Sequence, residues 1–222
     1  MRLLYHTWLS PQCRRVRVVL REKQIEFQLQ VENVWDRRND FLALNPAGDV
    51  PVLVEPDGGV ICGVEVICEY LDEIHPESQL YGDTPRARAE ARRLSAWFEN
   101  KFETEVTQNL VGEKMMKRFL GRGEPSSEAI RAGYANLTYH LDYMAYLIDR
   151  RRWLAGDSYS IADIAAASHV SCLDYLGDIA WDGHPTVKDW YARLKSRPSF
   201  RPLLTDHIAG APPPKHYSDL DF

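Results

Sequence analysis

Apolar residues fall into short runs through the first third of the chain and into a helical period thereafter. Residues 2–6 form a run that suits a buried strand. Ser10-Pro11 then opens a helix: serine caps well, and proline at the first helical position gives up only an amide that has no partner there. Cys13, Val16, Val19 and Leu20 recur at helical spacing through Glu22. Phe27 to Val31 reads as a second strand and Trp35 to Leu44 as a short helix or irregular segment, ended by Asn45-Pro46-Ala47-Gly48. Val50 to Val54 is the third strand. Asp57-Gly58-Gly59 turns the chain into Val60-Ile61-Cys62, and Val64, Ile67, Cys68 and Leu71 mark a helix to Ile74. The order is β-α-β-α-β-β-α.

That order describes a thioredoxin-like domain over residues 1–76, followed by a linker at 77–84 that precedes the Pro85 helix start. The remainder to residue 204 reads as all-helical, and 205–222 as a proline-rich tail. A long helix starts at Thr84 (cap) and Pro85 and runs past Phe102. Gly121 to Pro125 breaks the pattern. After a cap at Ser126 or Ser127 the next helix carries Ile130, Leu137, Leu141, Met144, Leu147 and Ile148. Ser160 with Asp163 is a capping box flanked by apolar residues, and the helix it starts, through Leu176, is almost wholly apolar and must be buried.

Composition narrows the function classes. With 45% apolar residues and six tryptophans, the 222-residue chain can build a core. A net charge of −5 argues against a general nucleic-acid binder. No run of about 18 apolar residues is present, so no membrane insertion is expected, and the early polar residues of Met1 to His6 do not make a signal peptide. Cysteines 13, 62, 68 and 172 have no metal-ligand spacing. They read as reduced thiols of a cytoplasmic protein with no metal.

Four segments carry a family resemblance. Ser10 to Arg17 resembles the opening helix of glutathione S-transferases, and Asn45 to Leu53 resembles that family's NPxGxVPxL segment, whose proline is cis. Gly156 to Asp163 resembles its folding motif, and Trp190 with Arg197 to Phe200 its last helix. The resemblance implies the glutathione S-transferase fold: an α+β thioredoxin-like N-terminal domain plus an all-α C-terminal domain.

It also implies where glutathione would bind. In the family a hydroxyl or thiol at the start of the first helix stabilises the glutathione thiolate, helped by the helix dipole. Ser10 occupies that position, and Cys13 lies one turn on. Ser10 is then either the thiolate's donor or only a cap, and Cys13 either a redox nucleophile or a buried apolar side chain. The family holds the γ-glutamyl end with a Glu/Gln-Ser pair just before the third helix. Here Gly63-Val64 stand in those places, with Glu65 one or two positions on. Asp49 stands where many members carry lysine. Val50, before the cis proline, would pair with the cysteinyl backbone of glutathione if the cleft were used. Loss of charge-assisted bonds of about 1.5–3 kcal/mol each predicts that glutathione binding is lost. The expected cleft (Ser10, Val50, Gly63, Val64) is therefore vestigial, with no cofactor and no catalytic residue. The alternative is a glutathione-dependent transferase acting on small electrophiles through Ser10; a thiol redox protein using Cys13 is a third reading.

Three segments suggest a protein partner instead. Pro212-Pro213-Pro214 reads as a stiff spacer presenting Lys215, His216, Tyr217, Asp219, Leu220, Asp221 and Phe222, or else as a strap on the protein's own body. Trp35 beside Arg37 and Arg38 has the composition of an interface hot spot or of a packed side chain. Glu113 to Phe119 is a basic patch for an acidic partner or a solvated helix face. The whole chain, and its tail above all, resembles the alphaproteobacterial FtsZ-localised division regulators. What that resemblance implies is a homodimer that binds FtsZ filaments at the division site through its C-terminal end.

Overall fold

The computed structural model describes residues 1–220. The chain forms two compact units that divide between Gln79 and Leu80. Asp221 and Phe222, both expected partner contacts, lie outside the described residues.

In the first unit four strands form one mixed sheet in the order β2-β1-β3-β4. These are β1 (Arg2–His6), β2 (Phe27–Val31), β3 (Val52–Val54) and β4 (Val60–Cys62). β1 pairs in parallel with β2, with Leu4 opposite Leu29, and antiparallel with β3, with Leu4 opposite Leu53. Leu4, Val52 and Leu53 are fully buried, as central strands require. Helices α1 (Pro11–Glu22) and α3 (Val64–Ile74) pack together, and Val16, Val19, Ile67 and Leu71 on them are fully buried. The Lys23 ammonium closes their far ends, donating to the carbonyls of His75 and Ser78 at 2.9 Å and pairing with Asp72. β3 begins at Val52 rather than Val50, because Pro51 has no amide to give to a ladder; the Val50–Pro51 bond is cis. Trp35 to Leu44 is a single 3-10 turn, Val34–Asp36, and then a short α2 (Asn39–Leu44), separated where Arg37 takes a left-handed conformation.

The second unit is helical. Thr84 caps α4 (Pro85–Ala96), its hydroxyl accepting from the Ala87 amide. The helix continues without a break into α5 (Trp97–Met116), whose turns are wider: the Lys117 amide bonds back five residues to Gly112. Ser126, not Ser127, caps α6 (Ser127–Ile148). Gly133 lets α6 lie against α5, since a Cβ there would come within 2.9 Å of Leu110. Helix α7 (Ile161–Leu176) is buried from Ile161 to Tyr175 and is the core of the unit, and α8 (Pro185–Lys195) contributes Val187, Trp190 and Leu194 to it. The capping box forms: the Asp163 carboxylate accepts from the Ser160 amide at 3.1 Å.

The three prolines do not hold the tail as an extended spacer. Residues 201–218 return across the helical unit as a strap. Tyr175 accepts a bond from the Ile208 amide and donates one to the Ala211 carbonyl, both at 2.9 Å. Tyr217 is fully buried, edge-on to Tyr175 with ring centroids 5.1 Å apart, and donates to the Leu203 carbonyl at 3.0 Å. Proline stiffness fixes the local path, but a buried aromatic side chain with a satisfied hydroxyl decides where the segment lies.

Candidate functional site

The first unit holds the three segments from which a glutathione cleft was expected, the start of α1, the loop before β3 and the start of α3, and the Gly63 amide donates to the Pro51 carbonyl at 3.2 Å. Hydrogen bonding decides what each contributes. Ser10 is the N-cap of α1: its oxygen accepts from the Cys13 amide at 3.2 Å, and its proton goes to Oε1 of Gln12 at 3.1 Å. The hydroxyl is thus engaged on both sides.

Cys13 is fully buried, and burial pushes its thiol up to about 11, against a smaller opposing pull from the Ser10 hydrogen bond. Nucleophilic thiols need the opposite shift. Asp49 adds to the rise in Cys13, and also acts in the same sense on Cys62 after burial. Cys13 should therefore react with iodoacetamide at neutral pH on the order of 100-fold more slowly than a solvated thiol. Labelling at the rate of free cysteine, located by peptide mass mapping, would contradict the burial.

The start of α3 is bare. Gly63 is its N-cap with no side-chain cap bond, and Val64 comes next with no polar side-chain atom. Glu65 does not replace the missing acid, because Arg15 holds it: Nη1 to Oε1 at 2.7 Å and Nη2 to Oε2 at 2.8 Å. The Arg15 side chain has no exposed surface while Glu65 is 44% exposed, so the pair closes the α1–α3 seam with a bidentate bond. Asp49 is exposed on the preceding loop and accepts from the Asn45 side chain at 2.6 Å. Val50 is half-buried beside it. A dicarboxylate ligand would meet one acidic side chain here and no carboxylate-binding serine at α3.

The other expected contacts are scattered. Trp35 is half-buried on its 3-10 turn. Within the basic segment Lys117 pairs with Glu113, and Lys114 is held by Asp178 and Tyr134. Two of its cations are thus already engaged, and Phe119 stays 42% exposed. Along the strap Lys215 and Asp219 are exposed, His216 and Leu220 half-buried and Tyr217 buried. Tyr217 is part of the core and cannot touch a partner while the strap is seated.

Sequence reasoning misses two groups. One is Arg15, whose partner lies 50 residues away. The other is Asp174, a fully buried acid of α7. A signal for Asp174 is present, since a carboxylate inside a wholly apolar helix requires donors from elsewhere.

The geometry agrees with relationships found by comparison. A model described as the glutathione S-transferase N-terminal domain matches residues 9–74, and one described as the C-terminal domain matches residues 128–198. The chain is 46% identical to FtsZ-localized protein A of Caulobacter vibrioides, over 100% of this chain and 98% of that one. It matches the solved structure of FzlA from C. crescentus with a TM-score of 0.97, covering 100% and 99% of the two chains. A crystal structure of a glutathione S-transferase from Rhodospirillum rubrum F11 matches with 56% identity and a TM-score of 0.98, over the full length of both chains. Two domain models in the right order and relatives alike from end to end place the chain: it belongs to the glutathione S-transferase family.

Proposed function

We propose that this protein works by binding rather than by catalysis: as a cytoplasmic homodimer it associates with FtsZ filaments at the division site and organises them during cell division. The observation that carries the reading is the 46% identity, along the whole chain, to a protein named for its localisation with FtsZ. The site geometry supports it, because Gly63 and Val64 at the start of α3 offer no polar side chain for the γ-glutamyl end and the Glu65 carboxylate is already paired with Arg15. A dimer would present two equivalent surfaces, so it could link or bend filaments through avidity. A glutathione-dependent transferase acting through Ser10 is the second reading, favoured by the hydroxyl at the first turn of α1 and by the name of the R. rubrum relative.

Two measurements separate them. The full chain should sediment with GTP-assembled FtsZ, and deletion of residues 219–222, which leaves buried Tyr217 in place, should weaken that binding by about tenfold or more. Calorimetry with millimolar glutathione should be silent. Micromolar glutathione binding together with no sedimentation would hand the function to the transferase.

A further inference from the structure

His216 is gripped at both ends by residues of the helical unit. Its Nε2 lies 3.1 Å from Oδ1 of Asp174, and its backbone carbonyl accepts from the Lys195 ammonium at 3.0 Å. An ionised carboxylate can only accept, so Nε2 carries the proton and donates. The same Asp174 oxygen takes the indole N–H of Trp181 at 2.9 Å, and Oδ2 lies 3.9 Å from Lys195. Asp174 and Lys195 are both fully buried. Burial pushes the Asp174 carboxyl up and the Lys195 ammonium down to about 8, each opposed by the other's charge. Two charges are held out of water where the strap crosses, and His216 gives a hydrogen bond to one and takes a hydrogen bond from the other.

The clamp sets the path of the residues beyond it. The Asp219 amide donates to the same His216 carbonyl at 3.1 Å, so the atom that Lys195 holds also closes the turn through Asp219. Tyr217, between them, is locked to Leu203. Lys215 and Asp219, on either side, are the exposed residues of this turn along with Ser218.

We infer that Asp174 and Lys195 are positioning residues for partner binding: by clamping His216 they hold the strap as a preformed recognition edge, with Lys215 and Asp219 turned outward. The inference rests on the FtsZ reading and deepens it, since recognition then depends on a seated strap rather than a free tail. A seated segment has less conformational freedom to lose on binding, so its release weakens the complex without removing any contact residue.

The test uses the full chain labelled with 5-fluorotryptophan, with the Trp181 signal assigned through Trp181→Phe. His216→Ala keeps both buried charges and spares the core. It should move the Trp181 fluorine resonance, because that indole shares its acceptor with His216, and should weaken sedimentation with FtsZ about tenfold. His216→Gln can place an amide N–H where Nε2 sits, and should restore both readouts to within about threefold of wild type. An unmoved Trp181 resonance in His216→Ala overturns the clamp. A moved resonance with wild-type binding overturns its role in recognition. Restoration of the resonance by His216→Gln without restoration of binding would mean that His216 touches the partner itself, which also overturns the inference. If the unmodified chain fails to sediment with FtsZ, the functional reading fails first and the inference falls with it.

Discussion

Replacing Asp163 by alanine is expected to lower the stability of the helical unit by at least about 4 kcal/mol, a large part of what a domain of this size possesses. The carboxylate is fully buried and takes four bonds. Oδ1 accepts from the Leu154 amide at 3.0 Å and the Trp190 indole at 3.1 Å. Oδ2 accepts from the Ser160 amide and hydroxyl, both at 3.1 Å. One side chain therefore fastens the entry of α7, the loop before it and the middle of α8. Alanine leaves three N–H donors without their acceptor at a fully buried position, at roughly 1–3 kcal/mol each. Asparagine keeps one acceptor oxygen for Leu154 and Trp190 but turns an amide toward the Ser160 N–H, so about half the loss is expected. Ser160→Ala should cost about 1 kcal/mol, the usual value of a cap. Melting followed by near-ultraviolet circular dichroism should place Asp163→Ala some 8–16 °C below wild type. A shift no larger than that of Ser160→Ala would show that the box acts only as a local cap.

Asp163 also shows what could be read from the chain. Its box was legible because both partners lie within one helical turn, and the burial of α7 was legible because an apolar period is a local property. The Ser10 cap and the Thr84 cap were legible for the same reason. What stayed hidden depends on partners far along the sequence. Prolines 212–214 predict an extended tail from local stiffness, whereas the strap is seated by Tyr217 on Tyr175 and by His216 on Asp174, 42 residues apart in each pair. Glu65 could be placed near the start of α3, but that it is bound by Arg15 emerges only from the packing of α1 on α3. The widened turns of α5 leave no mark in the spacing of Phe98, Phe102, Val106 and Leu110, which all remain buried. Of the candidate site, the missing γ-glutamyl contacts were visible as residue types. The Ser10 cap was legible, whereas the bond from its hydroxyl to Gln12 emerges only from the structure.

The converse experiment rebuilds the ligand contacts. The double variant Gly63→Glu, Val64→Ser is expected to bind glutathione at millimolar concentration where the wild-type chain shows none. Serine would return a hydroxyl beside the amides of the first turn of α3, where the helix dipole favours a carboxylate. Glutamate would return an acceptor for the ligand's amine. Space is available, since a Cβ built on Gly63 meets nothing within 4 Å. The backbone resists, because Gly63 has φ of 89°, a conformation that costs an L-residue roughly 1–2 kcal/mol. Two regained charge-assisted bonds at about 1.5–3 kcal/mol each exceed that strain, leaving a net gain of at least about fivefold in affinity. Val64→Ser alone avoids the strain and recovers one bond, so it should fall between the two. Binding by the wild type equal to that of the double variant would show that Gly63-Val64 is not where affinity was lost. A well-folded double variant that stays silent would move the defect to Asp49 or to the engaged Ser10 hydroxyl. In either case the transferase reading would then turn on those residues, and the bareness of α3 could no longer be used to favour a binding role.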